Sequence, residues 1–439
     1  MRTGAYDDSG EKMKTAFIVL DVMFAIGLLL TLLTGLPKLI NYIRGCFGGR
    51  QKPLPKAEKK HRFAIIVPAR NESAVIGKLL DSLDAQTFGV DHGDVFIAVE
   101  SPDDPTCKIA ADYGAELYFK KNFDRNGKGF VLEEVVDHIF TNRAYKNYEA
   151  FMIIDADNIL EPDYIEKLND ALDAGYDIAV GYRNSKNWND GWVAADTGLT
   201  FTRYSRFSNF GKSSKGHTVL LTGTCYYIKT DIVRSHGGWK WHSLTEDVEL
   251  TTVAAINGYK TTYVESAVFY DEQPTDLKTS VMQRKRWVKG FFNNSSKYGD
   301  KLYAGLSKYS KSDRASCLEA ILGAAPMAIF AIIYAFYTIG NAYLAIKYFD
   351  TPIAFAALYR IIGAWALYFV GLYIDTATIL FVERKNVKMS FARKAEAVFM
   401  RPLYSMLYLP IAVAALTHSV EWVPIEHKVN TVDGKENKK

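Results

Sequence analysis

Apolar side chains gather in four long runs toward the two ends of the chain and in short runs between them. Thr15 to Leu36 is interrupted by one charged residue, Asp21, and is long enough to cross a hydrocarbon layer about 30 Å thick. Ala320 to Ile346 carries no charged side chain, and Ile353 to Val382 carries two, Arg360 and Asp375. Met400 to Val420 is broken by Pro402 and Pro410 and contains Arg401, a pattern that fits a span, a re-entrant segment or an interfacial helix. In the middle, residues 63 to about 290 alternate short apolar runs with helical spacing, which predicts an α/β sheet with parallel strands. Phe63 to Val67, Val95 to Val99 and Phe151 to Ile154 read as buried strands. Ser73 to Asp84 and Gly129 to Phe140 carry their apolar residues at helical intervals.

Charge orients this pattern. After the first run come Lys38, Arg44, Arg50, Lys52, Lys56, Lys59, Lys60 and Arg62. Before it stand Arg2, Lys12 and Lys14, diluted by Asp7, Asp8 and Glu11. The positive-inside rule puts everything after the first span in the cytoplasm, and the basic segment Glu383 to Lys394 agrees with a second cytoplasmic loop. A cleaved signal peptide is the rival reading of the first run; its length and the absence of a small-residue cleavage pattern speak against it. The expected organisation is an anchor over 1–37, a basic linker over 38–62 and a soluble domain over 63–292. Interfacial helices over 293–319, a membrane or interfacial region over 320–421 and a polar tail over 422–439 follow.

Composition adds exclusions. A net charge of +4 over 439 residues is too small for a nucleic-acid binder. Cys46, Cys107, Cys225 and Cys317 lie far apart without metal spacing, so neither a structural zinc nor a disulfide framework is expected.

Candidate chemistry falls where the predicted strands end, which is where open α/β sheets hold ligands. Asp155 and Asp157 are two residues apart, so an extended chain turns both carboxylates the same way and offers a divalent cation two hard ligands. The bland alternative is two solvated acids at a strand end. Ser243 and Glu246 have the spacing of a capping box, which would make Glu246 a cap rather than a site residue. Asp247 then lies in a first helical turn, where the dipole favours the ionised form that a general base needs. Its alternative is a surface acid. Gln283, Arg284, Lys285, Arg286 and Trp287 place three cations and an indole within about one turn; they suit a diphosphate and a sugar face, or an anionic membrane surface. Lys128, in Asn126-Gly127-Lys128-Gly129, opens a helix where a cation suits phosphate, although a solvated loop lysine is commoner. His217, His236 and His242 have no metal spacing and read as packing residues, and the sequon at Asn294 should be inert in a cytoplasmic domain.

The order FAIIVPARNES (63–73), GKG (127–129), IIDADN (153–158), GTCYYI (223–228), LTEDVEL (244–250) and QRKRW (283–287) resembles glycosyltransferase family 2. It is similar above all to the membrane-bound branch containing cellulose, chitin, hyaluronan and poly-N-acetylglucosamine synthases. The resemblance covers residues 63–292 motif by motif and the spans by arrangement. It implies a GT-A fold, a UDP-sugar donor, Mg2+ or Mn2+ as cofactor, and inversion at the anomeric carbon. Carried over to this chain, it places Pro68, Ala69, Glu72 and Glu100 at the nucleoside and Lys128 at the uracil or diphosphate. Asp155 faces the nucleotide sugar and shares the metal with Asp157. Asp247 is the base beside Glu246, Gly223 lies near the acceptor, and Gln283, Arg284, Arg286 and Trp287 hold the diphosphate and acceptor end. One departure stands out: Ala98-Val99-Glu100-Ser101 where the family has an aspartate, with Asp103 or Asp104 as possible substitutes.

The implied activity is synthesis of a β-linked polysaccharide from UDP-N-acetylglucosamine or UDP-glucose at the cytoplasmic face of the plasma membrane. The polymer would pass through the enzyme's own helices, with membrane lipid around it and a homo-oligomer or accessory export subunit as further partner. Tyr334, Phe336, Tyr337, Tyr343, Tyr359, Trp365, Tyr368 and Tyr373 could line that path or simply pack, and Asp375 within a span points to a polar cavity. The alternative is single addition to a lipid-linked or oligosaccharide acceptor. A catalytically silent scaffold or transporter is the third reading, opposed by the intact motifs. Trp422 to His427 (WVPIEH) is a distinct tail motif to which the sequence assigns no chemistry.

Overall fold

A computed structural model describes residues 4–308, 310–323, 325–349, 351–420, 427 and 431–433. The chain forms two units, one of the segment up to Ile40 with Ile321–Thr376, the other of Asn41–Ala320 with the segment from Ala377. Among the described residues, four helical stretches are long and apolar enough to cross a membrane: Met13–Phe47, Lys311–Lys347, Pro352–Val382 and Phe391–Thr417.

In the first unit, Tyr334, Tyr337, Trp365 and Tyr368, four of the eight aromatics expected as a path or as packing, pack on other rings. Phe330 stacks on Tyr334 at 4.0 Å, Phe24 on Tyr337 at 4.3 Å, and Trp365 meets Tyr334 edge-on at 5.7 Å. Phe336, Tyr343 and Tyr359 face outward. Asp21, an isolated acid in the sequence, accepts a hydrogen bond from the Tyr337 hydroxyl (2.8 Å) and pairs with Arg360 (3.3 Å). Pairing is how a charge tolerates an apolar surrounding.

The second unit is built on an eight-stranded mixed sheet. Its strands are β1 (Phe63–Pro68), β2 (Val95–Val99), β3 (Glu116–Phe119), β4 (Ala150–Ile153), β5 (Ile159–Leu160), β6 (Ile178–Ser185), β7 (Tyr226–Lys229) and β8 (Thr261–Asp271), in the order β3-β2-β1-β4-β7-β6-β8-β5. Alternation along β1 explains why it is apolar throughout: Ala64 and Ile66 enter the core on one face, Ile65 and Val67 the core on the other. Helix Lys128–Asn142 closes the first face with Leu132, Val135, Val136 and Ile139. Helix Ile76–Asp84 closes the second with Ile76, Leu79, Leu80 and Leu83. The expectation of a parallel sheet holds in part: β1 runs parallel to β2 and β4, β3 to β2, and β6 to β8. β7 is antiparallel to both β4 and β6, and the chain reaches it after the helix Trp192–Tyr204. Strand order turns back at β1, between β2 and β4, and such a switch point leaves a crevice beyond the carboxyl ends of these strands.

The proline-broken segment that the sequence left open lies within the second unit, as helices Phe391–Met406 and Tyr408–Thr417 interrupted at Leu407. Ala397, Arg401, Tyr404, Ile411 and Ala415 are buried, while Phe399, Leu403, Val413 and Leu416 are exposed. The tail also meets this unit: the Asp433 carboxylate accepts from the Asn189 backbone (2.8 Å) and side-chain (3.0 Å) amides.

Candidate active site

The loops after β1, β2 and β4 open into a cleft of about 340 Å³, the size of a small-ligand site. Pro68, Ala69 and Glu72 reach it from the end of β1, Glu100 from β2, and Asp155 and Asp157 from β4. Lys128 enters from the first turn of its helix, Gly223 from the approach to β7, Glu246 and Asp247 from the start of helix Glu246–Asn257, and Gln283, Arg286 and Trp287 from helix Leu277–Gly305.

Lys128 is the electrostatic centre of the cleft. Its ammonium bonds the Asp155 carboxylate and the Gly223 carbonyl (2.6 Å), and lies 4.0 Å from Glu246. Burial opposes its charge, but Asp155 and Glu246 outweigh that and raise its pKa. Strand β4 ends at Ile153, so Asp157 sits in a turn rather than on extended chain; both acids still face the cleft, in unlike surroundings. Asp155 is partly exposed, whereas Asp157 is buried and accepts the Glu272 backbone N–H at 2.9 Å. Burial pushes the Asp157 carboxyl up, yet His427, Lys186 and that N–H hold it below its usual range.

The expected capping box does not form. Helix Glu246–Asn257 starts after Thr245, and the Ser243 N–H donates instead to Glu249 at 2.8 Å, which leaves Glu246 facing the cleft. Burial lifts the Glu246 carboxyl to about 7, with the neighbouring Asp247 adding to the rise against Lys128. Asp247 is raised too, by burial, against the Val248 N–H and the charges of Lys128 and Arg286. The helix start therefore does favour its charge, as the sequence suggested, but burial is the stronger influence.

Two expectations need correction. Arg284 does not line the cleft: its guanidinium is fully buried between helices, because a helix turns about 100° per residue and Arg284 faces away from Gln283 and Trp287. Asp103 and Asp104 do not replace Glu100, for Asp103 is exposed and Asp104 accepts the Asn71 and Thr106 amides (2.8 and 2.9 Å). Glu100 itself stands in the cleft, paired with Arg70 at 2.9 Å and Lys120 at 3.6 Å. The three histidines do pack: His217 bonds Glu319, His236 bonds Tyr259, and His242 stacks on Phe130. Asn294, the residue of the sequon, is buried within its helix.

Sequence reasoning missed His427 and Arg183. His427 bonds Glu72 at 3.0 Å and lines the cleft, where burial opposes its charge but Asp157 and Glu72 raise its pKa to about 10. It is the one residue of the WVPIEH motif among the described residues. Arg183 leaves β6 into the cleft wall, bonds Asp271 at 2.7 Å and lies 3.5 Å from the Phe201 ring. Its signal was legible as a cation directly after the apolar run Ile178 to Tyr182.

The carboxylates available to a cation are Asp155 and Asp157, hard oxygen donors that suit Mg2+ or Mn2+. Among the described residues no three His, Cys, Asp or Glu side chains form a cage, so a cation would need phosphate oxygens of a donor to complete its shell.

Residues 61–290, just over half of the chain, match the family described as "Glycosyltransferase like family 2". A probable glycosyltransferase of Bacillus subtilis, YdaM, is 24% identical over 245 residues, covering 54% of this chain and 56% of that protein. A probable glucomannan 4-beta-mannosyltransferase 3 of Oryza sativa is 26% identical over 196 residues, covering 44% of this chain and 35% of its own. The chain thus spans about half or less of the length of these relatives. Among solved structures, the mannosyltransferase PcManGT of Pyrobaculum calidifontis, in complex with GDP-Man and Mn2+, shares the fold with a TM-score of 0.57 at 17% identity, covering 90% of this chain and 99% of that one. The chain belongs to this glycosyltransferase-like family 2.

Proposed function

We propose that this enzyme transfers a sugar, with inversion, from a UDP-sugar (UDP-N-acetylglucosamine or UDP-glucose) to a hydroxyl of a growing β-linked glycan. The reaction takes place at the cytoplasmic face of the plasma membrane. The observation that carries the reading is the convergence of Asp155, Asp157, Lys128, Asp247, Arg286 and Trp287 on one cleft. Pro68, Ala69, Glu72 and Glu100 receive the nucleoside. Lys128 and Arg286 face the diphosphate, where cations stabilise the charge that grows on a leaving group. A Mg2+ or Mn2+ ion held by Asp157 and Asp155 would supply further neutralisation of that charge.

Trp287, edge-on to Phe201 at 5.6 Å, offers the acceptor sugar an apolar face. Gly223, at φ +94° and beside the Asp247 carboxylate, lets the acceptor hydroxyl come close. The Asp247 carboxylate takes the hydroxyl proton, and the oxygen attacks the anomeric carbon as the nucleoside diphosphate leaves from the opposite face. Attack on that face makes the single displacement inverting. The apolar helices support a membrane setting, with the basic flanks of Thr15–Leu36 placing the cleft inside.

The test is release of nucleoside diphosphate by purified protein in membranes, screened over UDP-sugars and, because PcManGT binds GDP-Man, over GDP-mannose, with Mg2+ or Mn2+. Long products support the polymerase; a discrete lipid-linked product supports single addition. No release with any donor and supplied acceptor contradicts both.

A further inference from the structure

Arg284 is fully buried yet sits between two residues that reach the cleft, Gln283 and Arg286. Its Nη1 donates to the Tyr404 carbonyl at 2.9 Å, and its guanidinium lies 4.1 Å from the Tyr404 ring and 5.2 Å from the Tyr408 ring. Tyr404 belongs to the last turn of helix Phe391–Met406, just before the break at Leu407. Carbonyls at a helix end lack intrahelical donors, so an arginine there satisfies a group that burial would otherwise leave costly. The Tyr404 hydroxyl in turn bonds Thr197 at 3.0 Å, and Arg401, one turn earlier, donates to Asp196 (3.3 Å) and Thr200 (3.2 Å). Asp196, Thr197 and Thr200 belong to helix Trp192–Tyr204, whose Phe201 and Tyr204 line the cleft.

The two helices that carry the acceptor wall are therefore tied together through the broken tail helix. Arg284 holds it from the Leu277–Gly305 side, and Thr197 with Asp196 from the other. The contact this tie sets is Trp287 against Phe201, at the mouth of the proposed acceptor site.

We infer that Arg284 is a positioning residue: it pins the tail helices against helix Leu277–Gly305 and so fixes Trp287 for transfer, without touching the donor. The inference rests on the transferase reading above and deepens it. A misplacement of about 1 Å costs on the order of 100-fold in rate, so the effect belongs in the turnover number rather than in donor affinity.

The experiment compares Arg284→Met, Arg284→Lys and Thr197→Val with Arg286→Ala, measuring sugar transfer and donor hydrolysis per folded enzyme. In Arg284→Met, transfer kcat is expected to fall about tenfold or more with donor KM unchanged, so that hydrolysis gains on transfer. Arg284→Lys, which still reaches the Tyr404 carbonyl, should recover most of the loss. Thr197→Val should shift the ratio in the same direction. If Arg284→Met does not fold, the other two variants carry the test in the same terms. A rise in donor KM like that of Arg286→Ala, with kcat held, makes Arg284 a diphosphate ligand and overturns the inference, as does parent behaviour in all three variants. A parent that turns over no donor brings down the transferase reading itself, a result distinct from either.

Discussion

Replacing Glu246 with glutamine is expected to stabilise the protein at pH 8 and change it little at pH 5. The side chain is buried beside Asp247 and lies 4.0 Å from Lys128. Burial lifts its carboxyl from the ordinary 4.5 to about 7. The unfolded chain gives up this proton near 4.5, whereas the native state keeps it until about 7. Stability is therefore whole below the lower value, drains as pH rises between the two, and stays reduced above the upper one. The full loss is roughly 3 kcal/mol, and at pH 5 it is under about 1 kcal/mol. Glutamine has the same shape and no charge to bury, so Glu246→Gln should melt about 3–5 °C above the parent at pH 8. Thermal unfolding in detergent, followed by tryptophan fluorescence at both pH values, measures this. Equal shifts at the two pH values, or a lower melting point at pH 8, would mean that the native carboxyl is ionised and held by Lys128, and the reasoning fails.

Arg286→Ala should raise donor KM about tenfold or more, the loss of one charge-assisted bond worth about 1.5–3 kcal/mol; initial rates against donor concentration decide it. Asp157→Ala removes the acceptor of the Glu272 N–H together with a candidate metal ligand. Donor binding by calorimetry should then lose its dependence on Mn2+, and an unchanged Mn2+ response would remove Asp157 from the metal site. Gly129→Ala puts a Cβ 2.2 Å from the Trp241 carbonyl oxygen, a backbone atom that cannot swing aside. It should destabilise by about 1–3 kcal/mol, read as a lower melting temperature.

The strands and their closing helices were legible because each carries a plain periodicity: a continuous apolar run in β1, β2 and β4, and three-to-four spacing in the helices that cover them. The cleft was legible for the same reason, since polar clusters that interrupt such runs must lie beyond strand ends. Arg284 misled because adjacency in QRKRW says nothing of direction; one step round the helix separates the cleft from the core. The capping box failed on competition, as Glu249 takes the Ser243 amide that Glu246 was expected to bind. His427 stands more than 350 residues from its partner Glu72, and no local pattern encodes a contact of that range. Reversal of β7 was hidden in the same way, since a short buried strand reads alike in either direction.

The central claim is that Asp247 is the base of a nucleotide-sugar transfer. Its most direct test compares nucleoside diphosphate release, and incorporation of labelled sugar, by the parent and Asp247→Asn with saturating donor, metal and acceptor. The account predicts that the variant binds donor as the parent does and loses transfer by a factor of about 100 to 10,000, the range a general base supplies. Transfer by Asp247→Asn at the parental rate would contradict it.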